Sequence, residues 1–381
     1  MVKVFFLLVC TSVAFPACSV HNDAHTVGNW VPDSGVYGNA SFHELLRDRR
    51  SFHAQEQAAL DVWLSDQCTD TFAMVSPQHQ CSALRRDVPV IAQWQPSTCL
   101  LPAFTAARFW RALGQRTLLF VGDSLQVQFY FALRCALERD RANPIAVDNG
   151  VFHGVSSHER VSLADAPGSS QLSLNVRARR FGRKTRGTEI RLAHADDRAG
   201  AVDLFTSAFL FEKDSSHRLN LSTTPLWLPS AQNSRRTVLL VSVGSWFSAG
   251  KLRQESIIAD STELFADVMR SVVDRVLRLP GLLTIFRSLS PAGSSCSQTS
   301  DVRSFGWDLF SARDDIVRSL VAERGGAAAG LFFLDVNPIS RLRPDAHPGA
   351  FSARDCLHWC YSPSGVLDNW ARLLTMALET A

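Results

Sequence analysis

The stretch Thr117-Leu118-Leu119-Phe120-Val121-Gly122-Asp123-Ser124-Leu125 decides how the chain is read. Its first half is an uncharged apolar run, of the length and kind that forms a strand buried on both faces of a sheet. Gly122 lets the backbone turn sharply, and a helix-compatible segment, Leu125–Leu133, follows at once. Strand, turn and helix in that order put the Ser124 hydroxyl at the carboxyl edge of a parallel sheet, where α/β proteins bind ligands. The Ser124 N–H, at the helix start, then points toward a developing oxyanion. Asp-Ser is also an ordinary helix cap. The tripeptide alone leaves both readings open.

Working outward, similar apolar runs recur at Thr237–Val243, Leu282–Phe286 and Leu331–Val336. Helical patterns lie between them. Asp260 and Glu263 are start signals for a stripe of Leu264, Phe265, Val268, Met269, Val272, Val273 and Val276, which Pro280-Gly281 stops. Further helices are expected over Trp307–Ala322 and Val366–Leu378. Strands alternating with helices predict parallel βαβ units, hence a three-layer α/β/α sandwich over residues 117–381. Residues 15–116 carry turn-forming and polar residues with Cys18, Cys68, Cys81 and Cys99, and read as a loop-rich N-terminal lobe. The Arg-rich stretch Val176–Gly187 reads as an exposed loop; contact with an acidic polysaccharide and a secretory processing site at Arg177-Ala178-Arg179-Arg180 are the alternatives.

The chain has 381 residues with a formal net charge of +3 and 46% hydrophobic residues, which excludes a disordered chain and gives no general basic bias toward nucleic acid. No uncharged apolar run reaches the roughly 20 residues of a membrane span. Lys3, the apolar Val4–Val9 and the small residues Ser12 and Ala14 describe a signal peptide over residues 1–14, with an uncleaved anchor as the alternative. Cleavage there removes Cys10, one of 9 cysteines, and leaves an even number, as disulfides in a secreted protein require. Asn39-Ala40-Ser41 and Asn220-Leu221-Ser222 are glycosylation sequons of the same route, toward the Golgi lumen or the exterior.

A second motif, Asp355-Cys356-Leu357-His358-Trp359-Cys360, supplies what the serine lacks. A serine nucleophile needs a base, and the base needs an acid to fix its tautomer. Asp and His three residues apart on one loop can face the same way, and two cysteines can hold that loop rigid. The bland reading is a disulfide-rich surface loop. Zinc is disfavoured because its thiols would be oxidised in this compartment.

With both motifs in hand, the sequence resembles the trichome birefringence-like and PC-esterase proteins, O-acetyltransferases and esterases of polysaccharides. Their Gly-Asp-Ser and Asp-x-x-His signatures are matched at Gly122–Ser124 and Asp355–His358, the latter continuing to Asp368 and Trp370. Gly28-Asn29-Trp30-Val31, Trp94, Cys99, Leu101-Pro102, Phe104, Ser207–Leu210, Phe286–Pro291 and Arg343–Pro348 resemble further family segments in the same order. The resemblance implies a five-stranded parallel sheet of the SGNH-hydrolase kind and a triad of Ser124, His358 and Asp355. It also implies disulfides Cys18–Cys99, Cys68–Cys135, Cys81–Cys360 and Cys296–Cys356. The implied activity is transfer of an acetyl group from a donor co-substrate to a polysaccharide hydroxyl, with no metal and no bound cofactor. An acetyl esterase and a non-catalytic glycan-binding wall protein are the alternatives.

Departures bear on mechanism. Val127 stands where the family has Arg, Ser242–Trp246 replaces an Asn-Thr-Gly-His-Trp segment, and Pro291-Ala292-Gly293 lacks a histidine. The expected oxyanion donors are therefore the N–H groups of Ser124 and Gly244 and the Gln128 amide, with Ser242 as a further substitute. Trp246 and Trp359 are candidates for sugar stacking or for core packing.

Overall fold

Each apolar run becomes a strand, and the computed structural model joins them into one sheet. The structure describes residues 16–19, 21, 23–32, 92–138, 173–181, 185–193, 201–232, 237–257, 259–291, 305–347, 357–361 and 365–381, with backbone alone for the strands of 173–193. The strands are β1 (Gly28–Pro32), β2 (Ala92–Pro96), β3 (Thr117–Gly122), β4 (Ser173–Phe181), β5 (Thr185–Ala193), β6 (Ala201–Thr206), β7 (Thr237–Ser242), β8 (Leu283–Arg287) and β9 (Leu331–Leu334). The main sheet has the order β4-β5-β6-β3-β7-β8-β9. Strands β6, β3, β7, β8 and β9 are mutually parallel, as the resemblance implied. β5 joins β6 antiparallel and β4 joins β5 antiparallel.

Parallel strands need cover on both faces, and alternate residues of each strand enter different cores. Leu118 and Phe120 lie in one core with Phe109, Phe129 and Trp370, under the helices Ala106–Leu113, Ser124–Glu138 and Val366–Thr380. Leu119 and Val121 lie in the other with Phe265, Val272 and Val317, under the helices Ser261–Val276 and Phe310–Glu323. The Asp260 start signal is realised: its carboxylate accepts from the N–H groups of Thr262 and Glu263. Deleting a buried aromatic such as Phe120 would cost about 3–5 kcal/mol.

The N-terminal ribbon β1–β2 is tied into the first core. Trp30 and Trp94 meet edge to face at 5.9 Å, and their indole N–H groups donate to the carbonyls of Ile339 and His25. Arg372 on the Val366–Thr380 helix donates to the carbonyls of Trp94, Leu101 and Pro102. The Cys18–Cys99 disulfide forms, with Cα atoms 4.9 Å apart. Cys135 and Cys360 are disulfide-bonded as well. Their expected partners Cys68 and Cys81, the pair Cys296–Cys356, the signal segment and the Asn39 sequon lie outside the described residues. The Asn220 sequon sits in a turn, where its Oδ1 accepts from the Ser222 N–H and hydroxyl.

One expectation needs correcting. Val176–Gly187 is not a loop: most of it forms β4 and the start of β5, an antiparallel hairpin at the sheet's edge. No helix among the described residues is long and apolar enough to cross a membrane.

Candidate active site

Ser124 opens its helix directly at the carboxyl end of β3 and is exposed, although Asp123 and Leu125 on either side are buried. The turn that achieves this cannot take a larger residue than glycine at 122. A Cβ there would meet the Ser242 carbonyl oxygen at 2.1 Å. Gly122 is paired with Thr206 on one side and Ser242 on the other, so three strand ends converge beneath the serine.

The helix-cap reading of the tripeptide is realised. Asp123 Oδ1 caps the helix by accepting from the Leu125 N–H, and its Oδ2 accepts from the Ser245 hydroxyl at 2.6 Å. Burial raises the Asp123 pKa above its ordinary value; the Ser245 and Leu125 hydrogen bonds and the nearby Arg287 oppose this.

His358 arrives from the far end of the chain, 234 residues away, and its Nε2 lies 2.9 Å from Ser124 Oγ. That distance suits a hydrogen bond in which the ring accepts the serine proton. Asp355 lies outside the described residues.

The segment after His358 is fixed at nearly every polar group. The His358 carbonyl accepts from Nδ1–H of His347, whose ring lies 3.7 Å from that of Trp359, centroid to centroid. The Trp359 N–H donates to Gln128 Oε1 at 2.9 Å, while Gln128 Nε2 donates to the Trp359 carbonyl at 2.6 Å. The Trp359 indole donates to Ser290 Oγ, and the Cys360 N–H to the Ala346 carbonyl. The Tyr361 hydroxyl returns to the Gln128 carbonyl. Gln128, expected among the oxyanion donors, thus has both ends of its amide committed to the backbone beside His358. Trp359, expected either to stack or to pack, is fully buried.

Gly244 stands just past β7, at the start of a short turn, Ser245–Phe247. A Cβ at Gly244 would meet Leu289 Cδ1 at 2.4 Å. Neither the Gly244 N–H nor the Ser124 N–H donates to another group among the described residues. Two groups that sequence reasoning passed over hold this loop. Arg313, fully buried, donates to the carbonyls of Gly244 and Phe247, each at 3.0 Å. Its neighbour Asp314 accepts from the Leu289 N–H at 2.8 Å. Burial pushes the Asp314 carboxyl up to about 8, the Leu289 bond opposing, the nearby Asp335 adding and Arg287 opposing. One helix therefore clamps the ends of both β7 and β8. Arg287 completes the floor by donating to Gln126 Oε1, whose amide nitrogen in turn donates to the Leu240 carbonyl. The only sequence signal for Arg313 and Asp314 was charge next to Phe310 and Val317 on the buried face of a helix.

Comparison with known proteins now has a geometry to attach to. The profile of the GDSL/SGNH-like acyl-esterase family found in Pmr5 and Cas1p (PC-Esterase) matches residues 101–377. Xyloglucan O-acetyltransferase 4 of Populus trichocarpa is 26% identical over 92% of this chain and 80% of its own length. Protein trichome birefringence-like 13 of Arabidopsis thaliana is 24% identical over 76% of this chain and 73% of its own. Xyloglucan O-acetyltransferase 2 of Arabidopsis thaliana is 23% identical over 73% of this chain and 70% of its own.

Proposed function

The chain belongs to the GDSL/SGNH-like acyl-esterase family found in Pmr5 and Cas1p, and we propose that it is a polysaccharide O-acetyltransferase working through an acetyl-serine on Ser124. The observation that carries this reading is the 2.9 Å approach of His358 Nε2 to Ser124 Oγ. A scaffold that only bound glycans would have no need of that contact.

In the first half-reaction His358 takes the Ser124 proton as the serine oxygen bonds to the acetyl carbon of the donor. The donor's leaving group departs with that proton from His358. In the second, a sugar hydroxyl gives its proton to His358, its oxygen takes the acetyl group, and Ser124 regains its hydrogen. Asp355 would hold the other imidazole nitrogen and so keep Nε2 free to accept. The N–H groups of Ser124 and Gly244 would hold the oxyanion, helped by the positive end of the Ser124–Glu138 helix. A general base of this kind contributes about 10²–10⁴-fold, and each oxyanion donor about 10²–10³-fold. The expected signal peptide and sequons support a site of action in the lumen of the secretory pathway.

The test is to incubate the protein with an activated acetyl ester and look by mass spectrometry for an acetylated peptide containing Ser124. Glycan oligomers are then added and the products weighed. Acetylated oligomer supports transfer, whereas free acetate alone supports an esterase. Persistence of either product in Ser124→Ala would remove the serine from the mechanism.

A further inference from the structure

The Arg-rich hairpin becomes informative once its strand register is followed. β5 runs antiparallel to β6, with Ala193 opposite Ala201 and Glu189 opposite Phe205. β6 ends at Thr206, beside Gly122, two residues before Ser124. By this register Thr188 is level with Thr206, so Thr185–Gly187 continue past the end of β6 on the catalytic side of the sheet. Their partners Arg179–Phe181 on β4 go with them: Arg179 opposes Gly187, Arg180 opposes Arg186 and Phe181 opposes Thr185. Three rungs at about 3.3 Å give an overhang of roughly 10 Å beyond the rim. Since strands lie about 4.8 Å apart, β5 and β4 stand roughly 10 and 14 Å to the side of the strand that carries Ser124.

Charge is concentrated on this hairpin. Residues 173–193 hold six arginines and one lysine against the single acid Glu189, a net +6 in a chain whose total is +3. The remaining residues therefore sum to −3. This distribution localises positive potential at one side of the catalytic rim. Guanidinium rather than ammonium predominates, and its planar fork matches a carboxylate.

We propose that the overhanging hairpin, through Arg179, Arg180 and Arg186, is a binding arm for a carboxylate-bearing polysaccharide, so that the acyl acceptor is a uronate-containing glycan. The proposal rests on acyl transfer at Ser124 and names the class of acceptor for it. A duplex nucleic acid or a lipid surface would call for a broad basic face, whereas the rest of this chain is net acidic.

The experiment uses the full chain and a polygalacturonate oligomer, with a neutral cello-oligomer of equal length as the control. Wild-type protein should bind the uronate at least tenfold more tightly than the neutral oligomer, and this preference should shrink as salt is raised. The triple variant R179Q/R180Q/R186Q should weaken uronate binding roughly tenfold, the scale of three surface ion pairs. Its rate of Ser124 acetylation by a small activated ester, which involves no glycan, should not change. Equal wild-type binding of the two oligomers overturns the proposal, a result that depends on no variant. So does unchanged uronate affinity in the triple variant, or tighter binding to duplex DNA or anionic vesicles than to the uronate. Loss of Ser124 acetylation with uronate binding retained would sink the acyl-transfer reading and leave the arm standing.

Discussion

Gln128→Leu separates two roles for one amide. The substitution keeps the apolar volume at a site only 3% exposed and removes both hydrogen bonds to Trp359, at 2.9 and 2.6 Å. Leaving a buried N–H and a buried carbonyl unpaired costs about 1–3 kcal/mol each, so the variant should be roughly 2–6 kcal/mol less stable. At about 2–4 °C per kcal/mol for a domain of this size, the unfolding midpoint should drop by roughly 5–20 °C. Trp359 adjoins His358, and a shift of about 1 Å at a reacting group costs about 10²-fold in rate. Circular dichroism melts give the midpoint. The acetylation rate of Ser124 by an activated ester, taken well below that midpoint, gives the chemistry. Both should fall. An oxyanion donor would behave differently, losing rate by a similar factor while leaving the midpoint unchanged. That second pattern, or a variant with full rate, would refute the assignment of Gln128 as the anchor of the His358 segment.

Four further substitutions test the supporting structure. Arg313→Met removes the two bonds to the Gly244 and Phe247 carbonyls; kcat should fall about 10–10²-fold with KM little changed, as steady-state kinetics would reveal. Gly244→Ala pushes a methyl toward Leu289 Cδ1, 2.4 Å away, and should cost about 1–3 kcal/mol along with rate. Adding Leu289→Ala should relieve the clash and recover part of the rate. Asp314 carries the pH prediction. Its carboxyl is pushed from 3.8 up to about 8 when folded, so between those values the folded chain holds a proton that the unfolded chain has released. Stability contributed by this group is then greatest in acid and is lost as pH rises from about 4 to about 8. Asp314→Asn keeps an acceptor for the Leu289 N–H and should flatten that slope, read as the difference in urea midpoints between the two proteins at about pH 5 and about pH 8.5.

The buried strands could be read from sequence because a parallel strand covered on both faces has no polar side to display. Thr117–Val121 and the three runs like it announce themselves. β6 escaped notice because Asp203 interrupts its apolar run; in the sheet that aspartate stands opposite Arg191 of β5. The hairpin escaped for a related reason: its strands are rich in arginine, and the signals that mark a loop mark such an edge equally well. At the site, Ser124 and His358 were legible because the chemistry restricts both residue type and motif. Their supports were not. Gln128 reaches Trp359 across 231 residues and Arg313 reaches Gly244 across 69, and pairings at such separations leave no local pattern. Gln128 was instead read by analogy, as the amide that survived beside a missing arginine.

The long separation between Ser124 and His358 has a temporal side. A ribosome adding about 5–20 residues per second would need roughly 10–50 s to travel from Ser124 to His358. Throughout that interval the emerging polypeptide carries Ser124 without His358. On the proposed mechanism, acyl transfer therefore cannot begin on a nascent chain. On that mechanism it waits until the far segment has been synthesised and hydrogen-bonded to Gln128, which makes completion of folding the step that switches the chemistry on.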